Sequence, residues 1–282
     1  MNVTSVPLMK NLVRIVALFS ALIMILALYE PYAPRDSYTV AKNGVYIQNS
    51  AQAALLLDAT EGRILFSQNA SARLPMASTT KIMTAIVAIE NMPTDYVVTV
   101  AKEAVGIEGS SIYLYAGEQI TCLDLLYGLM LESGNDAAAA LAIAVGGTEE
   151  RFIMLMNEKA KELGLKDTHF SNPHGLPAEN HFTSAADLAR LTDYALQNEL
   201  FAEIVSTKKM AACEGARYYV NHNRLLFSYE GMIGVKTGYT QASGRCLAAR
   251  RYGRTLICVT LNDYYCSADH VRMLDSGFSS TD

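Results

Sequence analysis

The chain has 282 residues, of which 51% are apolar, and a formal net charge of -5. This length and apolar content predict a folded domain with a sizeable core and exclude a disordered chain. Charges of both signs are interspersed, and only the extreme N-terminus is biased toward positive charge, which excludes nucleic-acid binding.

The N-terminal segment has the layout of an export signal. An almost uninterrupted apolar run at 15–29 follows Lys10 and Arg14. The run is short for a spanning helix unless it is counted from Leu12 with the arginine snorkelling, and no good small-x-small cleavage site follows it. We therefore predict that 1–30 is a signal or membrane anchor and that the rest of the chain is extracytoplasmic. A buried N-terminal core helix is the alternative.

The next segments predict a linker and then a β-hairpin. Residues 31–50 are rich in Pro, Asp, Ser and Asn, so the folded domain is expected to span 51–282. Two apolar, strand-like runs at 53–58 and 63–67 are joined by a short turn that ends in a glycine. This arrangement is typical of a hairpin.

The middle of the chain is predicted to be helical. Apolar residues recur at helical spacing after Pro75, and Pro93 ends that helix. Capping signals and glycines mark four more helices. These are 122–131 after Thr121, a helix to 145 capped by Asn135 and Asp136, 148–163 ended by Gly164, and a helix from Ser184 to about 198.

After Gly231 the pattern changes to strands at 232–237, 245–250 and 255–261. Together with the early hairpin, these strands predict an α+β fold of two lobes. One lobe is an antiparallel sheet of about five strands, built from both ends of the chain and flanked by helices. The helical middle is inserted as the second lobe.

Three short motifs stand in order along the chain. A Ser-x-x-Lys alone is expected about once by chance, but the ordered set is expected at roughly 0.01 or below. A second Ser-x-x-Lys, Ser206-Thr207-Lys208-Lys209, lies outside that order. The motifs are Ser78-Thr79-Thr80-Lys81, Ser133-Gly134-Asn135 and Lys236-Thr237-Gly238.

The first motif favours an acylated serine. Ser78 is predicted at a helix start, where free backbone N–H groups and the helix dipole stabilise an oxyanion. Lys81 lies one turn on, within reach of the hydroxyl. A lysine acts as a base only if its pKa is lowered by burial or by a second cation, which Lys236 could supply. Alone, the motif would more often be a helix cap beside a solvated lysine, but the other two motifs outweigh that alternative.

The other motifs are consistent with a peptide-binding cleft. The turn at 133–135 can aim a hydroxyl and an amide into a cleft, and Asn135 can also cap a helix. Lys236 and Thr237 end a strand and offer a cation and a hydroxyl to a carboxylate, although a lone lysine there could serve only solubility. Gly238 lets a substrate approach the backbone.

No cofactor or metal is predicted. The histidines His169, His174 and His181 lack a His-x-x-x-His spacing and nearby carboxylates, and no glycine-rich phosphate loop is present. The five cysteines have no Cys-x-x-Cys spacing, and Cys246 and Cys258 lie in apolar, strand-like surroundings. We expect buried thiols and no obligatory disulfide.

At about 51–279 the chain resembles the low-molecular-mass penicillin-binding proteins, which are serine D-alanyl-D-alanine carboxypeptidases. The likeness extends beyond the three motifs, and it implies a fold like that of DD-peptidases and β-lactamases. Further similar segments are Leu57-Asp58-Ala59, Pro75-Met76-Ala77, Asp124-Leu125-Leu126-Tyr127-Gly128-Leu129, Asn172-Pro173-His174-Gly175-Leu176 and Gly234-Val235.

The resemblance implies that peptidoglycan pentapeptide stems are the substrate and that β-lactams are covalent inhibitors, outside the bacterial cytoplasmic membrane. Ser78 would attack the D-Ala-D-Ala bond with Lys81 as the base. The remaining implied roles are proton relay by Ser133, amide binding by Asn135, carboxylate binding by Lys236 and Thr237 with help from His222 or Arg224, and an oxyanion hole from the N–H groups of Ser78 and Tyr239.

Three alternatives stay open at this point. A class A β-lactamase is disfavoured because no Glu-x-x-x-Asn occurs in the chain. A penicillin-binding sensor that stays acylated is disfavoured because all motif residues are intact. Endopeptidase action on crosslinks cannot be separated from carboxypeptidase action by sequence.

Many relatives continue into a β-rich second domain and a C-terminal amphipathic membrane helix, whereas this sequence stops at Asp282. We therefore expect the N-terminal apolar segment to be the anchor.

Overall fold

The computed structural model describes residues 35, 37–41, 44, 47–238 and 244–280. The predicted signal or anchor at 1–30 lies outside the described residues, and so do Tyr239 and part of the linker. Within the described part, no helix combines the length and apolar character needed to cross a bilayer. The domain boundaries at 30 and 50 therefore stay predictions.

The central sheet is built from both ends of the chain, as predicted. Its order is β1-β3-β2-β10-β9-β8, with two separate two-stranded ribbons, β4-β5 and β6-β7. The strands are β1 (Thr39–Val40), β2 (Ala53–Asp58), β3 (Arg63–Gln68), β4 (Val97–Thr99), β5 (Gln119–Thr121), β6 (Lys209–Ala212), β7 (Arg217–Val220), β8 (Met232–Thr237), β9 (Gly244–Arg251) and β10 (Arg254–Leu261).

Five strands of the central sheet are antiparallel, and the two-residue β1 adds a parallel edge to β3. The early hairpin joins the late meander through β2 and β10, where Leu57 lies opposite Ile257. The prediction of an α+β fold with about five antiparallel strands is confirmed.

Helices cover both faces of this sheet, and further helices form the helical lobe. In chain order the helices are α1 (Lys81–Asn91), α2 (Cys122–Leu131), α3 (Asn135–Gly146), α4 (Glu149–Glu162), α5 (Ala185–Ala195), α6 (Glu199–Ser206), α7 (Leu225–Ser228) and α8 (Cys266–Ser279). Along β2, Leu55 and Leu57 pack into the core shared with the helical lobe, whereas Leu56 packs toward α8. Both faces of the strand are buried, so β2 is apolar throughout rather than alternating. The Cys258 thiol is buried on the α8 side, as expected, and the side chain of Cys246 lies outside the description.

Two predicted helix boundaries are wrong. Gly134 is the N-cap of α3, and the Asn135 side chain does not cap it because that amide points toward Lys81 and a backbone carbonyl instead. The helix that begins after Ser184 stops at Ala195 rather than 198, because Asn198 caps a separate helix, α6. The predicted caps at Thr121 and Ser184 are confirmed.

A buried ion pair ties the end of β2 to the start of β10, and its loss should destabilise the fold. Asp58 is fully buried, and its carboxylate accepts two bonds from Arg254 and two from backbone N–H groups. We expect Asp58→Asn to lower the free energy of unfolding by about 3 kcal/mol, measured by urea denaturation. The matched control is Asp167→Asn, because the Arg73–Asp167 pair is more exposed and should cost below about 1 kcal/mol. Equal losses for the two variants would contradict this assignment.

Candidate active site

The nucleophile candidate lies at the junction of a 3₁₀ turn and a helix. Ser78 belongs to the turn Ala77–Thr80, and Lys81 is the first residue of α1. Lys81 Nζ lies 3.1 Å from Ser78 Oγ. The sequence placed the serine at a helix start with the lysine on the same side, and the structure brings the two together.

Lys81 has two further hydrogen-bond partners that can only accept. Its Nζ donates to Asn135 Oδ1 at 2.7 Å and to the carbonyl oxygen of His174 at 2.6 Å. An uncharged amine has two N–H donors and one lone pair. If the two donors serve these two acceptors, the lone pair is left to accept the proton of the Ser78 hydroxyl.

The surroundings of Lys81 favour the uncharged amine. Its side chain is fully buried, and burial is the largest cause that lowers its pKa well below the usual value. The positive charge of Lys236 lowers the pKa further, while the carboxylate of Asp136 opposes the shift. The geometry and the electrostatics therefore agree on a general base.

Lys236 is itself buried at the end of β8, with 2% of its surface exposed. Its Nζ donates to the carbonyl oxygen of Thr237 at 2.9 Å. Burial lowers the pKa of Lys236 to about 7. This lysine is therefore only partly protonated near neutral pH, and a bound anion would favour its charged form.

The second motif occupies the turn between α2 and α3. Ser133 has a left-handed backbone with φ of 63°, and its side chain lines the cleft. Asn135 Nδ2 donates to the carbonyl oxygen of Glu108 at 2.6 Å. That bond fixes the amide so that its oxygen faces Lys81.

A cleft of about 670 Å³ brings the predicted site residues together. Of the sequence-predicted set, Ser78, Ser133, Asn135, Thr237 and Gly238 line it. Lys81 and Lys236 are buried next to Ser78 and Thr237. The predicted oxyanion contribution of Tyr239 lies outside the described residues, and the catalytic and binding roles stay predictions.

His222 and Arg224, the two candidates for an extra carboxylate contact, both line the cleft. The imidazole of His222 pairs with Glu132, with 3.2 Å between Nε2 and Oε2. Glu132 is fixed in turn, because its other oxygen accepts a bond from the Val220 N–H at 2.6 Å.

Arg245 is a cleft residue that sequence reasoning missed. It lies on β9 directly opposite Thr237 and donates from Nη1 to Ser267 Oγ at 2.9 Å. Both Arg245 and Ser267 line the cleft. The pairing of β8 with β9 brings this residue to the cleft, and no sequence motif marks that register.

The histidines contact other protein groups in the structure. No group of His, Cys, Asp or Glu among the described residues is arranged to hold a metal ion. His181 Nδ1 accepts from the Ser171 N–H, so Nε2 carries the proton and donates to Thr80 Oγ1 at 2.9 Å. Burial lowers the pKa of His181 to about 4, which keeps it neutral. Because Thr80 Oγ1 donates to the Ala77 carbonyl, this histidine braces the turn that carries the nucleophile.

The fold and the Ser-Lys geometry are consistent with one class, the serine enzymes that use a buried lysine as base. Comparison with known proteins then identifies the family. Residues 38–264 match the family described as D-alanyl-D-alanine carboxypeptidase. The chain therefore belongs to that family.

Individual relatives agree with this assignment. D-alanyl-D-alanine carboxypeptidase DacF of Bacillus subtilis is 38% identical over 211 residues, which cover 72% of this chain and 54% of that protein. A Streptomyces D-alanyl-D-alanine carboxypeptidase is 34% identical over 266 residues, covering 86% of this chain and 88% of that protein. The chain thus spans about half the length of DacF and nearly all of the Streptomyces protein.

Solved structures give the same fold. The crystal structure of a Streptomyces DD-transpeptidase is 33% identical with a TM-score of 0.78, and the match covers 84% of this chain and 100% of that one. A penicillin-binding protein homologue from Mycobacterium tuberculosis is 30% identical with a TM-score of 0.80, covering 89% and 97%.

Gly175 should be required for placing the nucleophile. It has φ of 95°, and a Cβ there would lie 2.0 Å from the Ala77 carbonyl oxygen and 2.9 Å from the Ser78 nitrogen. We expect Gly175→Ala to displace Ser78 and to slow its acylation by penicillin about 10²-fold. The acylation rate is measured by rapid mixing and mass spectrometry of the adduct. Gly164→Ala is the control, because Gly164 has φ of 68° and open space around it. Unchanged acylation in Gly175→Ala would contradict the prediction.

Lys236 should make stability depend on pH. The native state releases this proton above about pH 7, whereas the unfolded chain keeps it to about pH 10.4, so the unfolded state binds more protons in between. Stability should therefore rise with pH across that window, and the cost of burying the charge is fully present below it. Lys236→Met should be more stable than wild type at pH 6.

The measurement is urea denaturation from pH 6 to 10. The free energy of unfolding should rise less steeply with pH in Lys236→Met than in wild type, by up to ~1.4 kcal/mol per pH unit. The exposed Lys209 provides the control variant Lys209→Met, whose profile should follow wild type. Parallel profiles for Lys236→Met and wild type would refute the lowered pKa.

Proposed function

We propose that this chain is a serine-type D-Ala-D-Ala carboxypeptidase that removes the terminal D-alanine from peptidoglycan pentapeptide stems. The observation that carries the proposal is the buried Lys81 amine, which has two fixed acceptors and lies 3.1 Å from Ser78 Oγ. The family membership of the chain supports the same activity.

In the acylation step, uncharged Lys81 accepts the hydroxyl proton of Ser78 while Oγ attacks the carbonyl carbon of the penultimate D-alanine. The oxyanion forms beside the Ser78 N–H, with the Tyr239 N–H as the second proposed donor. The C–N bond then breaks, and the departing amine takes a proton through Ser133, which lines the same cleft. Free D-alanine and an ester on Ser78 result.

The substrate carboxylate would lie against the end of β8. Thr237 and Arg245 face the cleft from adjacent strands at the same register position. The buried Lys236 contributes positive charge at the same end of β8. A hydroxyl and a guanidinium suit a carboxylate, and bidentate contact with arginine adds geometric specificity.

Water then hydrolyses the ester, with Lys81 returning to its role as base. The described lining of the cleft contains no Asp or Glu side chain that could serve as a separate base on the other side. This argues against rapid β-lactam hydrolysis and for a persistent penicilloyl adduct. An amine acceptor in place of water would give transpeptidation, the activity named for the Streptomyces structure, and an amide crosslink in place of the terminal bond would give endopeptidase action.

We further propose that the N-terminal apolar segment anchors the domain at the outer face of the bacterial cytoplasmic membrane. The apolar run behind Lys10 and Arg14 supports this location. Peptidoglycan stems are reached from that side.

The test combines penicillin labelling with release of D-alanine from a D-Ala-D-Ala pentapeptide. Peptide mass spectrometry should place the adduct on Ser78, and Lys81→Ala should slow acylation by ~10² to 10⁴-fold. Acylation by wild type should rise with pH through the titration of Lys81, because its pKa is lowered. The second Ser-x-x-Lys supplies matched controls, Ser206→Ala and Lys209→Ala, which should behave as wild type.

Each alternative has its own outcome. A labelled Ser78→Ala protein, or wild-type acylation rates in Lys81→Ala, would reject the assigned chemistry. Labelling without D-alanine release would favour a penicillin-binding sensor. Penicillin turnover at tens per second, in place of a lasting adduct, would favour a β-lactamase.

A further inference from the structure

Two exposed tyrosines stand on a segment that begins at the cleft. Tyr113 is 85% exposed and Tyr115 is 65% exposed. Their segment begins with Gly109 and Ser110, and those two residues line the cleft. Large exposed aromatic side chains next to a binding cleft mark an interaction surface.

The segment that carries Tyr113 and Tyr115 is held rigidly by one buried carboxylate. Asp136 accepts from the N–H groups of Ile112 and Leu114, each at 3.0 Å, and a third bond comes from the Ser111 hydroxyl. Ile112 and Leu114 are buried. The alternation therefore turns both tyrosine rings outward.

The same segment is also tied to β7. Arg217 forms a largely buried ion pair with Glu118 and donates from Nη2 to the carbonyl oxygen of Tyr113 at 3.3 Å. The second oxygen of Glu118 accepts from the Tyr115 N–H at 3.2 Å. These contacts hold the backbone that carries both tyrosines.

Stability does not account for the ring at position 113. Tyr113 has φ of 59°, a left-handed conformation that is unfavourable for a bulky residue and that glycine adopts without cost. Its ring also gains little from burial. Tyr252 has similar φ and exposure, but it sits in the two-residue β9–β10 turn, where hairpin geometry requires that conformation.

We propose that Tyr113 and Tyr115 form a tyrosine platform that binds the pyranose faces of the glycan strand bearing the stem peptide. The proposal rests on the proposed function, because the stem is covalently attached to that strand. Sugar C–H groups pack against the electron-rich face of an aromatic ring, and the phenol hydroxyl hydrogen-bonds at its edge. Tyrosine offers this contact at low cost in side-chain entropy.

The dimensions of the two partners are compatible. Five extended residues span at most about 17 Å, which is the reach of a stem whose end lies at Ser78. Tyr113 is three residues beyond Ser110 at the cleft edge, so the platform begins at most about 11 Å from that edge. A stem that leaves the cleft on the Ser110 side would therefore bring its own glycan strand within reach of the platform.

The test uses the full 282-residue chain with glycan strands from which an amidase has removed all stems, so that the cleft has nothing to bind. Affinity is measured by competition against sedimented cell-wall sacculi. We expect the combined Tyr113→Gly and Tyr115→Ser variant to bind glycan at least tenfold more weakly, about 1.4 kcal/mol. Its release of D-alanine from a soluble pentapeptide should be unchanged.

Single variants separate binding from folding. Tyr113→Gly relieves the left-handed strain, so its melting temperature should not fall although its glycan affinity does. Tyr113→Phe should retain most of the affinity, because it keeps the ring. Tyr252→Gly is the matched control, since β9 separates that turn from Arg245 at the cleft, and it should bind as wild type.

Other results would overturn the platform. Wild-type glycan affinity in the combined variant would do so, and so would an equal loss in Tyr252→Gly. Loss of binding to anionic phospholipid vesicles with glycan binding intact would assign the tyrosines to a membrane surface instead. Glycan binding that depends on the tyrosines, in a protein whose Ser78 takes no penicillin, would support the platform and reject the proposed carboxypeptidase.

Discussion

The uncharged amine of Lys81 is the condition on which the rest of the site depends. A protonated lysine cannot take the Ser78 proton, and burial with two fixed acceptors leaves the neutral form with one lone pair facing the hydroxyl. The acceptors come from different parts of the chain, since Asn135 begins α3 and His174 belongs to a loop. The helical lobe and the α1 junction must therefore hold a fixed relation for the base to exist at all.

The sheet lobe contributes the second half of this electrostatic arrangement. Lys236 enters from β8, and its charge lowers the pKa of Lys81. Its own pKa of about 7 makes that charge conditional near neutral pH. In the proposed mechanism, an anionic substrate end at β8 favours protonated Lys236, and protonated Lys236 favours uncharged Lys81. Binding of a terminal carboxylate would then prepare the base for acylation.

Sequence patterns predicted the parts of the structure that depend on neighbouring residues. The hairpin, the strands after Gly231 and the caps at Thr121 and Ser184 follow from local periodicity and capping chemistry. The Ser78 to Lys81 contact is also local, because Lys81 is only three positions beyond Ser78. These features required no knowledge of how the lobes meet.

Contacts between distant segments escaped the sequence for identifiable reasons. The His174 group that holds Lys81 is a backbone carbonyl, which every residue type possesses, so no side-chain pattern marks it. Asn135 looked like a helix cap because its local context suits one, but a tertiary contact with Lys81 displaces that role. Arg245 reaches the cleft only through the β8–β9 register.

The cleft concentrates features that raise the free energy of the native state. Ala77 and Ser133 have left-handed backbones on either side of it, with φ of 47° and 63°, and both lysines are buried beside it. The compensating burial lies in the sheet, where strands such as β2 are covered on both faces. Because the favourable and unfavourable contributions occupy different places, the sheet can hold the cleft residues in conformations that they would not adopt alone. The proposed nucleophile beside a strained turn residue and the proposed base kept uncharged by burial both depend on this support from the sheet.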